Sequence, residues 1–195
     1  MKETIKDKIF DQPKIFDFIR SLLMGGFTKI SKEVSKYVTK EDSVLDVCCG
    51  SGKFSSIHSK DYCGIDLCDS FISYARKKYK KTFIVKDVCK MDIDNKFDII
   101  LFICSLHHFS NNQTNEIFNK LNQLANKKIL VVDIIPPSRW NLLSRCLYRL
   151  DRGKWIRTLE EQQTLLKKHF IIKSKKNFQS FLYKFVIFEC LPKNN

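Results

Sequence analysis

Apolar and polar positions along the chain fall into two alternating rhythms. Short, nearly continuous apolar runs occur around Val44, Leu45 and Val47 and then over 62–67, 82–86, 97–104 and 128–135. Runs of that length bounded by polar or glycine-bearing segments predict buried strands. Between and before them the apolar residues recur three and four apart. Ile15, Phe18, Ile19 and Leu22 do so after Pro13, Ile30, Val34, Tyr37 and Val38 follow suit, and 70–79 and 112–124 repeat the pattern, with Ile117, Leu121 and Leu124 on one face. Met24-Gly25-Gly26-Phe27 reads as a turn between the first two helices. Thr158 and Glu161 form a capping box opening a helix through His169, and 170–178 and 182–189 then read as two strands whose short connection requires antiparallel pairing. The expectation is an α/β domain: a seven-stranded, mostly parallel sheet with helices on both faces and a C-terminal antiparallel strand.

The densest chemical signal is 43–54, SVLDVCCGSGKF, where an apolar strand carries Asp46 near its end and runs into a turn with Gly50 and Gly52. Glycines there let the chain turn tightly and bring backbone N–H groups close to a ligand. A dinucleotide fingerprint wants a third glycine where Ser55 stands; a phosphate loop wants a glycine at Val47 and a hydroxyl at Phe54. Neither spelling is met, and a carboxylate at the mouth of the turn suits a cationic ligand better than a pyrophosphate. After the turn, 53–59 is expected to begin a helix whose N-terminus faces that ligand. Asp66 ends the second strand twenty positions beyond Asp46, where a carboxylate can accept two ribose hydroxyls.

Asp46, Cys48, Gly50 and Gly52 resemble motif I of the class I S-adenosylmethionine-dependent methyltransferases, an acidic residue followed by glycine at every second position, with Cys48 in place of the first glycine. Asp66 matches motif II, and the order of elements from 44 to 192 is similar to that family's, which implies a Rossmann-like sheet. The resemblance implies a cofactor set of Asp46, Cys48, Gly50, Gly52, Asp66, Leu67, Asp87, Val88 and Ile103, with Asp87 near the adenine amino group and Val88 against the ring. It also implies S-adenosyl-L-methionine as methyl donor. The family often spells the segment after the fourth strand LHH, here Leu106-His107-His108. Methyl transfer needs a base only when the acceptor arrives protonated, and an imidazole there suits the task; His108 is the first choice and His107 the second, with packing or backbone bonding the alternative for either. Phe102-Ile103-Cys104-Ser105 matches neither the NPPY-like segment of amino-methylating enzymes nor the proline-cysteine setting of RNA cytosine methylation.

At 195 residues with 44% apolar content the chain suits one domain: N-terminal helices or lid over 1–40, a cofactor-binding half over 41–135, an insertion over 136–158, and a closing helix and hairpin over 159–195. Neither a membrane span nor a signal-peptide core is apparent, so a cytoplasmic protein is expected. The eight cysteines include no CxxC pair and read as reduced thiols rather than as a metal site or a disulfide framework. The net charge of +14 comes mostly from lysines spread along the chain. Arginine is clustered: five of seven (Arg139, Arg145, Arg149, Arg152, Arg157) fall near both tryptophans, Trp140 and Trp155. Leu142, Leu143, Cys146, Leu147 and Leu150 make one helical face there and Arg145, Arg149 and Arg152 another, which predicts a basic amphipathic lid. Arg139, Trp140, Arg149 and Trp155 are its candidate substrate contacts, suited to a small, anionic or lipid-linked acceptor; docking on an anionic membrane surface and an ordinary solvated face are the alternatives. The stretch DRGKWIRTLEE, 151–161, is similar to segments of bacterial small-molecule methyltransferases. Two other readings stand beside a small-molecule enzyme: an RNA methyltransferase using the basic surface, and a non-catalytic cofactor-binding member of the fold.

Overall fold

The computed structural model describes residues 12–137, Ser144, Tyr148 and 153–193. Seven strands, β1 (Ser43–Val47), β2 (Asp61–Asp66), β3 (Thr82–Val85), β4 (Phe97–Ile103), β5 (Ala125–Ile135), β6 (Phe170–Ser180) and β7 (Tyr183–Pro192), form one sheet in the order β3-β2-β1-β4-β5-β7-β6. β1 pairs in parallel with β2 and β4, β2 with β3, and β4 with β5. β7 runs antiparallel to both β5 and β6. The expected sheet is therefore present, and β7 is its one reversed strand.

Residues that alternate along each strand go to opposite sheet faces. Val44, Ile99, Leu101, Leu130, Val132 and Ile187 pack on one side with Ile30 and Val34 of α2 (Thr28–Val34) and Ile72 and Ala75 of α3 (Asp69–Lys78). Leu45, Ile100, Phe102, Val131 and Phe188 pack on the other with Ile117, Phe118 and Leu121 of α4 (Asn111–Leu124) and Leu165 and Leu166 of α5 (Leu159–His169). Apolar residues on both faces explain why β1, β4 and β5 read as continuous apolar runs rather than as alternating ones. The capping box expected at α5 is present in both directions: Thr158 Oγ1 accepts from Glu161 N–H, and the Glu161 side chain accepts from Thr158 N–H.

The structure corrects the helix expected over 53–59: only a 3-10 turn, Lys53–Ser56, forms. Ser55 Oγ donates to Gly52 O at 2.7 Å, and Ile57 returns to an extended conformation with its side chain buried. A hydroxyl competing for the backbone acceptor and a buried Ile57 end the helix at one turn, so no long helix dipole faces the site. The first helix, α1 (Pro13–Met24), has the predicted extent but not an inward apolar stripe. Ile15, Phe18 and Leu22 are exposed, and Phe16 and Asp17 face the domain instead.

Candidate functional site

Strand order reverses between β1 and β4, where crossovers leave to opposite faces and a crevice opens at the carboxyl ends. Val47 lies opposite Ile65 of β2 and Phe102 of β4, so the turn after β1 sits centrally at that edge. Three non-glycine residues among those described have positive φ, and two of them, Cys48 (φ 60°) and Cys104 (φ 53°), follow β1 and β4 at this point. Cys48 takes the left-handed backbone that a glycine adopts freely, so the motif keeps its turn despite the substitution. Burial, with the Asp66 and Asp46 carboxylates nearby, pushes its thiol well above the ordinary range and keeps it neutral.

Gly50 and Gly52 serve different ends. The Gly50 N–H donates to Asp66 Oδ2 at 2.8 Å, and a Cβ on Gly50 would meet only open space. At Gly52 (φ 76°) a Cβ would lie 2.8 Å from the Phe83 ring and 3.1 Å from Ala75 Cβ. A side chain at Gly52 would thus clash with β3 and α3, so packing by itself requires a glycine there.

The two acidic residues of the motifs also divide. Asp46 is 1% exposed, and the Tyr62 hydroxyl donates to its Oδ2 at 2.5 Å. Burial raises its carboxyl to about 7, opposed by the Tyr62 bond and assisted by the Asp66 charge. Asp66 lies at the crevice, accepting from the backbone of Gly50 and, through Oδ1, from Cys68 N–H at 2.9 Å. Burial raises its carboxyl as well, against the downward pull of those backbone bonds. Leu67 beside it is exposed, Ile103 is buried in the core at 4% exposure, and Val88 is buried. Asp87 Oδ1 accepts from Cys89 N–H at 2.9 Å and caps the 3-10 turn Val88–Lys90.

α1 reaches over this turn. Asp17 accepts from Ser51 Oγ at 2.6 Å and pairs with Lys53 Nζ at 3.0 Å, while Phe16 meets Phe71 of α3 with ring centroids 5.1 Å apart. The grip of Asp17 on the turn was not anticipated from sequence, where 1–40 reads only as helices or a lid; an acid between Phe16 and Phe18 on a helix was its one signal.

A second group lies beyond β4 and β5. His107 and His108 close a 3-10 turn, Leu106–His108, with rings 4.3 Å apart; His107 is buried and His108 exposed. Asp133 of β5, 1% exposed, takes both the His107 Nδ1 contact at 2.5 Å and the His107 backbone N–H at 3.0 Å. Sequence reading missed Asp133, although a lone acid inside the apolar run 129–135 was the available signal. Gly153 presses on this pair: a Cβ there would come within 2.0 Å of His107 Cδ2. Trp155 N–H donates to His107 O at 2.9 Å, leaving the indole half exposed.

Arg157, counted in sequence among the clustered arginines, has a structural role. It is buried, and its guanidinium donates to Leu106 O at 3.0 Å, Phe109 O at 2.7 Å and Asn111 Oδ1 at 2.8 Å. It clamps 153–157 onto the histidine turn. Arg139, Trp140, Arg145, Arg149 and Arg152, with Leu142, Leu143, Cys146, Leu147 and Leu150, lie outside the described residues. Ser144 Oγ donates to Leu182 O at 3.0 Å, and the Tyr148 hydroxyl donates to Ile135 O at 2.9 Å with its ring stacked on Tyr183. These contacts tie the insertion to the β7 side of the sheet.

Residues 44–128 match the family model of a methyltransferase domain. A demethylmenaquinone methyltransferase of Chlamydia caviae is 30% identical over 100 residues, which make up 46% of this chain and 43% of that protein, so the likeness spans less than half of that relative. Among solved structures, the magnesium protoporphyrin IX methyltransferase of Synechocystis with bound S-adenosylhomocysteine superposes with a TM-score of 0.73 at 16% identity, over 90% of this chain and 88% of that one. A protein of Pyrococcus horikoshii superposes with a TM-score of 0.69 at 22% identity, over 86% and 89%. The paired acids and glycine turn, the sheet order and the matched segment agree: residues 44–128 match a methyltransferase domain, set in a chain with the fold of the S-adenosylmethionine-dependent methyltransferases.

Proposed function

We propose that the chain methylates a small acceptor, anionic or lipid-linked, entering between the glycine turn and the 153–157 strap. The observation that carries this reading is Asp66 drawn against Gly50 N–H at 2.8 Å beneath open space, a carboxylate set for ribose hydroxyls at a backbone a ligand can approach closely. Asp46, Cys48, Gly50, Gly52, Leu67, Asp87, Val88 and Ile103 complete the proposed cofactor set, with Gly52 and Ile103 supporting it through packing. When bound, S-adenosylmethionine would supply a methyl carbon already activated by its sulfonium, with the sulfur as leaving group. The chain's own work is to hold the acceptor collinear with the methyl–sulfur bond.

His108, exposed at the crevice, takes the acceptor's proton where one must be lost. His107, gripped through Nδ1 and backbone N–H by Asp133, is the positioning residue that holds the turn. Trp155, with Arg139, Trp140 and Arg149, forms the proposed acceptor contact. The name of the Chlamydia relative gives a small, non-macromolecular acceptor, which supports this class over RNA.

The test is methyl incorporation from labelled donor into cell extract fractionated into lipids, RNA, protein and small metabolites. Label in the lipid or metabolite fraction is expected; label in RNA alone overturns the acceptor class. With the acceptor in hand, His108→Asn lowers kcat by about a hundredfold while donor affinity by calorimetry is unchanged. An unaltered kcat removes His108 from the chemistry.

A further inference from the structure

α1 has two dissimilar sides. Its inner side grips the glycine turn through Asp17, and its outer side carries Ile15, Phe18 and Leu22, which fall on one helical face at spacings of three and four. Phe18 is 70% exposed and Leu22 65%, far more than a packed stripe allows. At the C-terminal end of α1, Gly25 abuts Phe181, the tip of the β6–β7 turn: a Cβ on Gly25 would lie 3.0 Å from Phe181 Cβ. Phe181 is itself 59% exposed and held at φ 51°, an unusual place for a bulky side chain. Phe181 therefore lies beside the C-terminal end of the helix that carries Ile15, Phe18 and Leu22.

Among the described residues, the exposed charge on α1 and α2 is basic. Lys14, Lys29 and Lys32 are exposed on α1 and α2. The acids of the two helices are already engaged, Asp17 by Lys53 and Glu33 by Lys36 at 2.8 Å and Lys176 at 2.7 Å. The whole chain carries +14. An exposed apolar stripe with Lys14 one turn before Phe18, on a helix whose opposite face holds its own strongly basic chain, has the composition of a surface that inserts at an interface and is drawn there by negative headgroups.

We infer that the outer face of α1, together with Phe181, docks the protein on an anionic lipid bilayer. Docked this way, the strap over the glycine turn lies against the membrane, and the crevice edge opens beside the lipid surface. The inference stands apart from the acceptor's identity, since it rests on α1 and the β6–β7 turn and not on the histidine turn or Trp155.

Sedimentation with vesicles of phosphatidylglycerol and phosphatidylcholine, against phosphatidylcholine alone, tests it on the full chain. Binding to the anionic vesicles is expected, weakened by added salt, and reduced about tenfold in a Phe18→Ser, Leu22→Ser double variant that retains donor affinity. Phe181→Ser gives an independent variant on the other segment, with a smaller loss in the same direction. No binding to anionic vesicles at low salt overturns the inference, as does equal binding to neutral ones. Undiminished binding by the double variant overturns it too, by placing the contact elsewhere. Self-association of the wild type that the double variant abolishes assigns the face to a second copy of the chain and likewise overturns it.

Discussion

The two banks of the crevice are built by opposite means. On the β1–β2 bank, Asp46, Gly50 and Asp66 come from neighbouring parallel strands and lie within twenty positions of one another. Their hydrogen bonds run to the backbone N–H groups of the turn and of Cys68 and to one tyrosine hydroxyl. On the β4–β5 bank, His107, Asp133, Gly153, Trp155 and Arg157 come from three segments spread over fifty residues. There a buried carboxylate holds the imidazole, a missing Cβ admits the strap, and a guanidinium donates to two carbonyls of the histidine turn. The first bank is a local code in which strand pairing alone juxtaposes the groups. The second is assembled, so its parts depend on one another.

That contrast breaks most visibly at Arg157. Arg157→Ala leaves the carbonyls of Leu106 and Phe109 without their guanidinium partner and frees the strap, so urea unfolding should show a loss of about 3–5 kcal/mol. If the β4–β5 bank is interdependent, His107 also loses its cover, and activity falls further than stability alone accounts for. A loss under about 1 kcal/mol would show that the strap is held from elsewhere.

On the other bank, Asp66→Ala removes an acceptor from a turn whose remaining pairing is local. The expected result is about a hundredfold weaker binding of S-adenosylmethionine by calorimetry, with the fold intact by circular dichroism. Affinity within threefold of wild type would deny Asp66 its place at the ribose.

Asp46 sharpens the comparison through pH. Its folded carboxyl sits at about 7, above the unfolded value of about 3.9, so the group favours folding least once it is ionised. Stability contributed at this site is fully present below the unfolded value and falls as pH rises toward 7. A cationic donor reverses the preference and favours the carboxylate. Donor affinity should therefore rise by up to about tenfold per pH unit below 7 and level off above it, with a proton released on binding. Asp46→Asn keeps an acceptor for the Tyr62 hydroxyl, so it should gain stability at pH 8 and bind the donor with little pH dependence. A wild-type affinity flat from pH 6 to 8 would separate Asp46 from the donor's charge.

Much of this was legible from residue pattern. Continuous apolar runs announced strands covered on both faces, and the Thr158–Glu161 spelling announced α5 and its cap. The helix over 53–59 failed because its apolar residues, Phe54 and Ile57, are buried from a single turn, and three-residue spacing does not reveal where a chain turns back to extended. Ile15, Phe18 and Leu22 marked a helix correctly and misled about its inner side, because periodicity defines a face without saying what covers it. Arg157 shows a related limit: its place among neighbouring arginines in the sequence does not reveal that its guanidinium turns to backbone carbonyls.

By itself the sequence determined the strand and helix order, the glycine turn and the acids that follow it, because each rests on interactions between residues near in the chain or on adjacent parallel strands. Tertiary structure alone decided which glycine faces open space and which faces Phe83, that Asp133 holds His107, and that Arg157 turns inward. Those outcomes depend on which backbone atoms a fold leaves buried and unpaired, and no single stretch of residues carries that information.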